Sequence, residues 1–262
     1  HTRFKCDWSS DVCSSDLGTN QVNLREASRR GVAVFNAPFS NTRSVVELAI
    51  AQMIMLIRNI PGKSERMHQG IWDKSASGSY EVRGKKLGII GYGNIGSQLS
   101  VIAESLGMKV FYYDREEKLA LGNAVKCRKM NDILEQCDII SLHVDGRAAN
   151  ENLIDGKAFS RMKDGVIFIN LSRGQVVDIP ALRGAVLSGK VAGCAVDVFP
   201  YEPVSNSEPF ESELRGLPNT ILTPHIGGST LEAQENIGNF VPARLLERSE
   251  EHTSELQSHL NL

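Results

Sequence analysis

The run Leu87-Gly88-Ile89-Ile90-Gly91-Tyr92-Gly93-Asn94-Ile95-Gly96 sets three glycines at G-x-G-x-x-G spacing. Around a pyrophosphate each has its own use. Gly91 permits a tight turn, Gly93 lets the backbone approach the phosphates at a helix N-terminus, and Gly96 lets that helix pack on a strand. Glycine turns are common, so the spacing alone is weak; here an apolar strand-length run precedes it and a helical pattern follows. The next such run, Val110–Tyr113, ends at Asp114. A carboxylate there accepts hydrogen bonds from ribose hydroxyls and repels a 2′-phosphate, which selects NAD over NADP. Arg115, beside it, partly offsets that repulsion, and the competing reading is a plain glycine turn with a solvated acidic loop. Further along, Arg173, Glu202 and His225 could grip an anion or move a proton. Singly, each residue type is more often structural.

Behind these residues the pattern alternates. Apolar runs of strand length occur at Leu87–Ile90, Val110–Tyr113, Ile139–Leu142, Val166–Ile169, Ala192–Val196 and Thr220–Leu222, with helical patterns such as Ile95–Leu106, Asp132–Cys137 and Ile179–Ser188 between them. The last has Asp178 as cap, Pro180 in its first turn and Gly189 as its stop. Strands apolar throughout and joined by helices predict an α/β fold with a doubly wound parallel sheet, covered on both faces. Upstream, a short helix (Asn23 to Arg30) and a strand (Val32 to Phe35) are expected. A long helix then runs from Ser40-Asn41-Thr42 to about Asn59, closed by Pro61-Gly62, and a polar stretch follows from Lys63 to Glu81.

Three segments carry a family resemblance. Met162 to Gly174 (MKDGVIFINLSRG), Asp197 to Pro203 (DVFPYEP) and Thr223 to Gly228 (TPHIGG) resemble the arginine, glutamate and histidine signatures of D-2-hydroxyacid dehydrogenases, in that family's order after the glycine fingerprint. GTNQV, NAPFSNTRSVVE and NTILTPHIGGSTLEAQENIG resemble most closely its bacterial-type phosphoglycerate dehydrogenase branch. The resemblance implies a Rossmann NAD-binding domain beside a flavodoxin-like substrate domain, and hydride transfer between NAD and a small 2-hydroxy acid. His225 would be the base, because an imidazole titrates near working pH. Glu202 would orient that ring and favour its charged form. Arg173 would hold the substrate carboxylate and polarise the 2-oxo group. Asn94 and Ile95 would touch the pyrophosphate, Leu171, Ser172 and Asp197 would lie along the nicotinamide half, and Asp114 would meet the ribose. Gly91, Gly93, Gly96, Arg173, His225, Gly227 and Gly228 complete the coenzyme-binding set that the resemblance implies.

By the same resemblance the protein is a homodimer through the long helix and the arm around Trp72, within 41–80. One departure stands out: Asp145 follows His143-Val144 where relatives usually carry proline, in a loop beside the adenine. The branch resemblance implies oxidation of 3-phospho-D-glycerate, the entry to serine biosynthesis. A reductase of glyoxylate, hydroxypyruvate or 2-oxoglutarate is the alternative within the class. A dinucleotide-binding, dimerising module without turnover is the alternative outside it.

The 262 residues are 41% hydrophobic and 23% charged, with a net charge of -2. That balance offers no electrostatic footprint for nucleic acid or an anionic membrane. The longest apolar stretch, Val45 to Ile57, is interrupted by Glu47 and Gln52 and is too short to span a bilayer. Cys127, Cys137 and Cys194 are scattered, without metal-ligand spacing, which fits structural thiols in a reducing, cytoplasmic setting and no metal.

The two ends read differently. Residues 1–17 (HTRFKCDWSSDVCSSDL) and 248–262 (RSEEHTSELQSHLNL) are patternless. A back-translation of the first, reverse-complemented and read in frame, spells the second. Both are therefore expected to be translated sequencing-adapter DNA and are set aside from fold reasoning. What remains divides into a remnant of a substrate domain at 18–38, the NAD-binding domain at 39–228, and a helix returning to the substrate domain at 229–247. With so little of the substrate domain, coenzyme binding without catalysis is the expectation for this chain.

Overall fold

The computed structural model describes residues 12–15, 23–37 and 39–240. They fall into two units, one from residues 1–44 and 228–262, the other from 45–227.

In the first unit, β1 (Val12–Ser15), α1 (Leu24–Arg29) and β2 (Ala33–Asn36) follow in order, and β1 pairs parallel with β2. Asn23 caps α1 through a bond from the Glu26 N–H, 3.0 Å. The sequence reading assigned no element to residues 1–17, and β1 corrects it. Backbone pairing asks little of side-chain pattern, since the amides and carbonyls that form it are common to every residue. The remaining residues of both adapter-like ends lie outside the described residues. Residues 231–240 are helical, and Ser44 Oγ meets Thr230 Oγ1 at 2.8 Å.

The helix α2 (Thr42–Ile57) leads from there into the larger unit, and α3 (Ile60–His68) follows it. Here the sequence expectation fails at Pro61-Gly62, which opens a helix where a stop was expected. Pro61 sits in the first turn of α3, where no intrahelical N–H is needed. Asn59 makes the corner between the helices at φ 51°. Among the described residues no single helix is long and apolar enough to cross a membrane.

The core of this unit is a seven-stranded parallel sheet. In chain order come β3 (Lys86–Ile90), α4 (Asn94–Ser105), β4 (Lys109–Tyr113), β5 (Val125–Lys126), α5 (Met130–Gln136) and β6 (Ile139–Leu142). After them come α6 (Gly156–Arg161), β7 (Val166–Asn170), α7 (Ile179–Leu187), β8 (Val191–Val196) and β9 (Thr220–Leu222). The spatial order is β5-β4-β3-β6-β7-β8-β9, so the winding reverses between β3 and β6. All six expected strands are present within a residue of their bounds. The short β5 and α6 escaped the pattern reading, having too few residues to show a period. Asp178 caps α7 through the Ala181 N–H at 3.1 Å, with Pro180 in the first turn, as read from the sequence.

Two apolar layers cover the sheet. One joins Ile133, Leu134, Ile140, Phe159, Phe168 and Leu182; the other joins Met53, Leu56, Leu87, Ile89, Leu99 and Ile169. β6 and β7 are buried at every residue, which is why their sequence runs apolar without alternation. The thiols Cys127, Cys137 and Cys194 are free and buried within these layers. Burial pushes Cys137 up to about 12 and Cys194 up to about 11, which leaves both unreactive.

Helix α4 approaches β3 so closely that a Cβ on Gly96 would collide with the Gly91 carbonyl oxygen. Backbone, rather than a movable side chain, stands in the way. Gly96→Ala is therefore expected to cost ~1–3 kcal/mol, the usual range for overpacking. Urea unfolding of the two chains checks this; an unchanged midpoint would contradict the close packing.

Candidate active site and coenzyme cleft

Parallel strands carry their C-terminal ends to one edge of the sheet, and the winding reversal leaves a crevice beside β3 and β6. The glycine run leaves β3 there. Gly91 has φ 94°, and a Cβ on it would stand 2.5 Å from the His143 carbonyl oxygen, so this turn requires glycine. Gly93 precedes the first residue of α4, Asn94, and a Cβ there would meet nothing within 4 Å. Gly93 is exposed, which leaves the positive end of α4 open to the approach of an anion. Asn94 is exposed and Ile95 half-buried beside it. Asp114, at the end of β4, accepts the Tyr92 N–H at 2.7 Å and the Glu116 N–H at 2.9 Å. The carboxylate is thus pinned at the mouth of the glycine turn with acceptor capacity to spare. These are the features an adenine dinucleotide requires.

At the ends of β7, β8 and β9 stand the three chemical residues. Asn170, buried, accepts the Ser172 N–H and hydroxyl at 3.1 and 2.7 Å and donates to the Arg173 carbonyl at 3.1 Å. That knot sets the backbone from which Arg173 projects, with Leu171 and Ser172 buried behind it. Gly174 packs so tightly on the Phe199–Pro200 backbone that a Cβ would collide with it, which joins the Arg173 loop to the segment carrying Glu202.

Asp197 is 1% exposed, and both of its carboxylate oxygens accept hydrogen bonds. It accepts Thr223 Oγ1 at 2.5 Å, the Ile226 N–H at 2.9 Å and the Gly227 N–H at 2.8 Å, and its carbonyl accepts the His225 N–H at 2.8 Å. These bonds hold His225 at φ 54°, a left-handed conformation that a non-glycine residue keeps only under such constraint. Gly227 lies against Asp197. Gly228 belongs to the other unit, where a Cβ would collide with the Asn41 side chain.

His225 Nδ1 meets Glu202 Oε2 at 2.8 Å, and Glu202 Oε1 accepts the Phe199 N–H at 3.0 Å. With Nδ1 so directed, Nε2 is left to face a substrate. The bond to Glu202 holds the His225 imidazole above its ordinary value, outweighing burial, which lowers it. Burial by itself would raise Glu202; the bonds from His225 and Phe199 more than offset it and leave the carboxyl below its ordinary value. The Arg173 cation acts on both groups, lowering each.

Two neighbours of the site carried no sequence signal. Gln175 Nε2 donates to the Gly146 carbonyl at 3.2 Å, and a Cβ on Gly146 would press on Arg173 Cγ at 3.1 Å. His143 bonds Ser141 Oγ through Nε2 at 2.9 Å, and burial pushes it down to about 4, so it stays neutral. A lone histidine at the end of an apolar run gives no hint of either property. Among the described residues no group of three or more His, Cys, Asp or Glu side chains could hold a metal.

Comparison with known proteins agrees with this geometry. Residues 50–227 match the model of the NAD-binding domain of D-isomer specific 2-hydroxyacid dehydrogenases. A D-3-phosphoglycerate dehydrogenase of Haemophilus influenzae is 56% identical over 234 residues, covering 89% of this chain and 57% of that protein. Saccharomyces cerevisiae D-3-phosphoglycerate dehydrogenase 1 is 51% identical over 237 residues, covering 87% and 50%. The chain spans about half the length of these relatives. Among solved structures, the D-lactate dehydrogenase of Lactobacillus jensenii with NAD+ is similar at a TM-score of 0.76 and 30% identity, over 84% of this chain and 70% of that one. With a glycine turn shaped for a dinucleotide, a histidine–glutamate pair beside an arginine, and the matching domain over 178 residues (50 to 227), the chain belongs to the D-isomer specific 2-hydroxyacid dehydrogenase family and carries its NAD-binding domain.

Proposed function

We propose that the whole protein of which this domain is part oxidises 3-phospho-D-glycerate to 3-phosphohydroxypyruvate, at the entry to serine biosynthesis, in a reducing, cytoplasmic setting. The observation that carries the substrate is the identity above 50% to phosphoglycerate dehydrogenases; the observation that carries the chemistry is the His225–Glu202 pair beside Arg173. Bound NAD would supply the acceptor for the hydride on C2. His225 Nε2 takes the hydroxyl proton, and Glu202 stabilises the imidazolium that results. Arg173 grips the carboxylate through a forked pair and draws electron density from the forming 2-oxo oxygen. Gly91, Gly93 and Gly96 admit the pyrophosphate, and Asp114 accepts from the ribose. Leu171, Ser172, Gly227 and Gly228 shape the nicotinamide end, with Asp197 acting through the His225 loop that it holds. Residues 18–38 and 229–247 are read as parts of a substrate domain, and 41–80 as a dimerising segment. In kinetic assays of the whole protein, 3-phosphoglycerate is expected to give a higher kcat/KM than D-lactate or 2-hydroxyglutarate; the reverse order would assign another 2-hydroxy acid.

For the chain itself, fluorescence titration is expected to show saturable NADH binding, much weaker for NADPH. Gly93→Ala adds a Cβ where a phosphate is expected, and that Cβ meets no protein atom within 4 Å. It should lower NADH affinity about tenfold or more, equivalent to ~1.4 kcal/mol, with the urea midpoint little changed. Equal loss of affinity and stability would instead make Gly93 a folding residue.

The His225–Glu202 pair is strongest while the carboxylate is ionised and the imidazole protonated. Its contribution fades as pH rises through the raised His225 value, and again as pH falls through the lowered Glu202 value. An imidazole titration of His225 by NMR should therefore show a midpoint above the ordinary 6.5. In Glu202→Gln the midpoint should drop toward or below that figure, since burial, which lowers it, then outweighs the charge of Asp197, which still raises it. A parental midpoint at or below 6.5 would contradict the pairing.

A further inference from the structure

The loop after β6 begins against the glycine turn, because β6 lies beside β3 and the His143 carbonyl touches Gly91. It carries Asp145, the residue that departs from the family pattern. Its carboxylate gathers donors from its own loop. Arg147 gives its backbone N–H at 3.2 Å, its Nε at 2.8 Å to each oxygen, and Nη2 as well. Asn150, buried at 6% exposure, donates its side-chain amide to Asp145 Oδ1 and to the Asp145 carbonyl, both at 3.0 Å. An exposed ion pair alone contributes little. Here a buried amide fixes Asp145 first, and Asp145 then holds the guanidinium in a fork.

Arg147 is close to the coenzyme side of the crevice. After Asp145, the charges that act on its guanidinium are those of Glu116 and Asp114. Asp114, with Arg115, Lys126, Cys127 and Arg128, lines a cleft of about 490 Å³ at the end of β4. That rim already holds three cations, and a released Arg147 would add a fourth.

We propose that Asp145 is a specificity-determining residue that works without touching the coenzyme: by binding Arg147 in a fork it withholds that cation from a 2′-phosphate and keeps the cleft selective for NAD. This rests on the coenzyme-binding reading of Asp114. Two effects then refuse a 2′-phosphate, the negative charge of Asp114 and the engagement of Arg147 by its own loop. Freed from Asp145, Arg147 would offset Asp114 and present a planar fork to a phosphate dianion.

The test compares NADH and NADPH dissociation constants for the 262-residue chain and its variants by fluorescence titration. Asp145→Asn keeps an oxygen for Asn150 and for the Arg147 N–H but removes the charge that holds the guanidinium. The ratio of the NADPH to the NADH constant is expected to fall about tenfold, or ~1.4 kcal/mol. Adding Arg147→Ala to Asp145→Asn should restore the parental ratio. Asp145→Ser, which removes the same charge but keeps a hydroxyl for the Asn150 amide, should shift the ratio the same way and serves if Asp145→Asn unfolds. An unchanged ratio in Asp145→Asn with NADH binding intact would overturn the inference, as would a shift that survives removal of Arg147. If the unaltered chain binds neither nucleotide, the coenzyme reading fails and this inference with it.

Discussion

A carboxylate with 1% exposure must find donors or destabilise the fold, and at Asp197 that requirement shapes the reaction edge. Three donors from residues 223–227 satisfy it, and in doing so they fold the segment after β9 back over the end of β8. His225 is left in a left-handed conformation with its ring toward Glu202. Without the buried anion the loop would have no reason to hold that strained geometry, and the imidazole would have no fixed direction. The sequence resemblance put Asp197 along the nicotinamide half; the structure adds that its carboxylate holds the loop carrying His225.

The same economy recurs along the edge. Asn170 ties the backbone that carries Arg173, and Gly174 lets that backbone rest on the strand-end segment leading to Glu202. Each chemical side chain is thus placed by a buried neighbour on its own or the adjacent strand end. Rigid strands and short tight loops make such placement dependable, because a loop pinned at both ends by buried bonds has few alternatives.

The glycine turn shows the complementary principle, where absence of a side chain is the function. A Cβ at Gly91 or Gly96 meets backbone, whereas at Gly93 it meets empty space. Two glycines are therefore required by the protein's own backbone, and the third leaves the helix terminus open. Spacing in the sequence cannot separate the two roles; only the neighbours in space do.

Much of the fold was legible in the chain itself. Apolar runs implied parallel strands, and all six were where the pattern put them; β6 and β7 are the plainest, because a strand covered on both faces has no polar face to interrupt it. Asp178, Pro180 and Gly189 announced α7 at both ends through local chemistry alone. Local pattern failed where the deciding contact was distant or the element too short: β1 against β2, the helix opened by Pro61, and the two-residue β5. The site divided in the same way. Residue types and order were enough to nominate Arg173, Glu202, His225 and Asp114, since their chemistry is carried by the side chains. Tertiary structure alone decided that Asp197 serves the loop, that Gly146 leans on Arg173, and that Asn150 holds Asp145 and Asp145 holds Arg147. Those roles are set by which strand ends become neighbours when the sheet winds in both directions from β3, and sequence spacing carries no record of that.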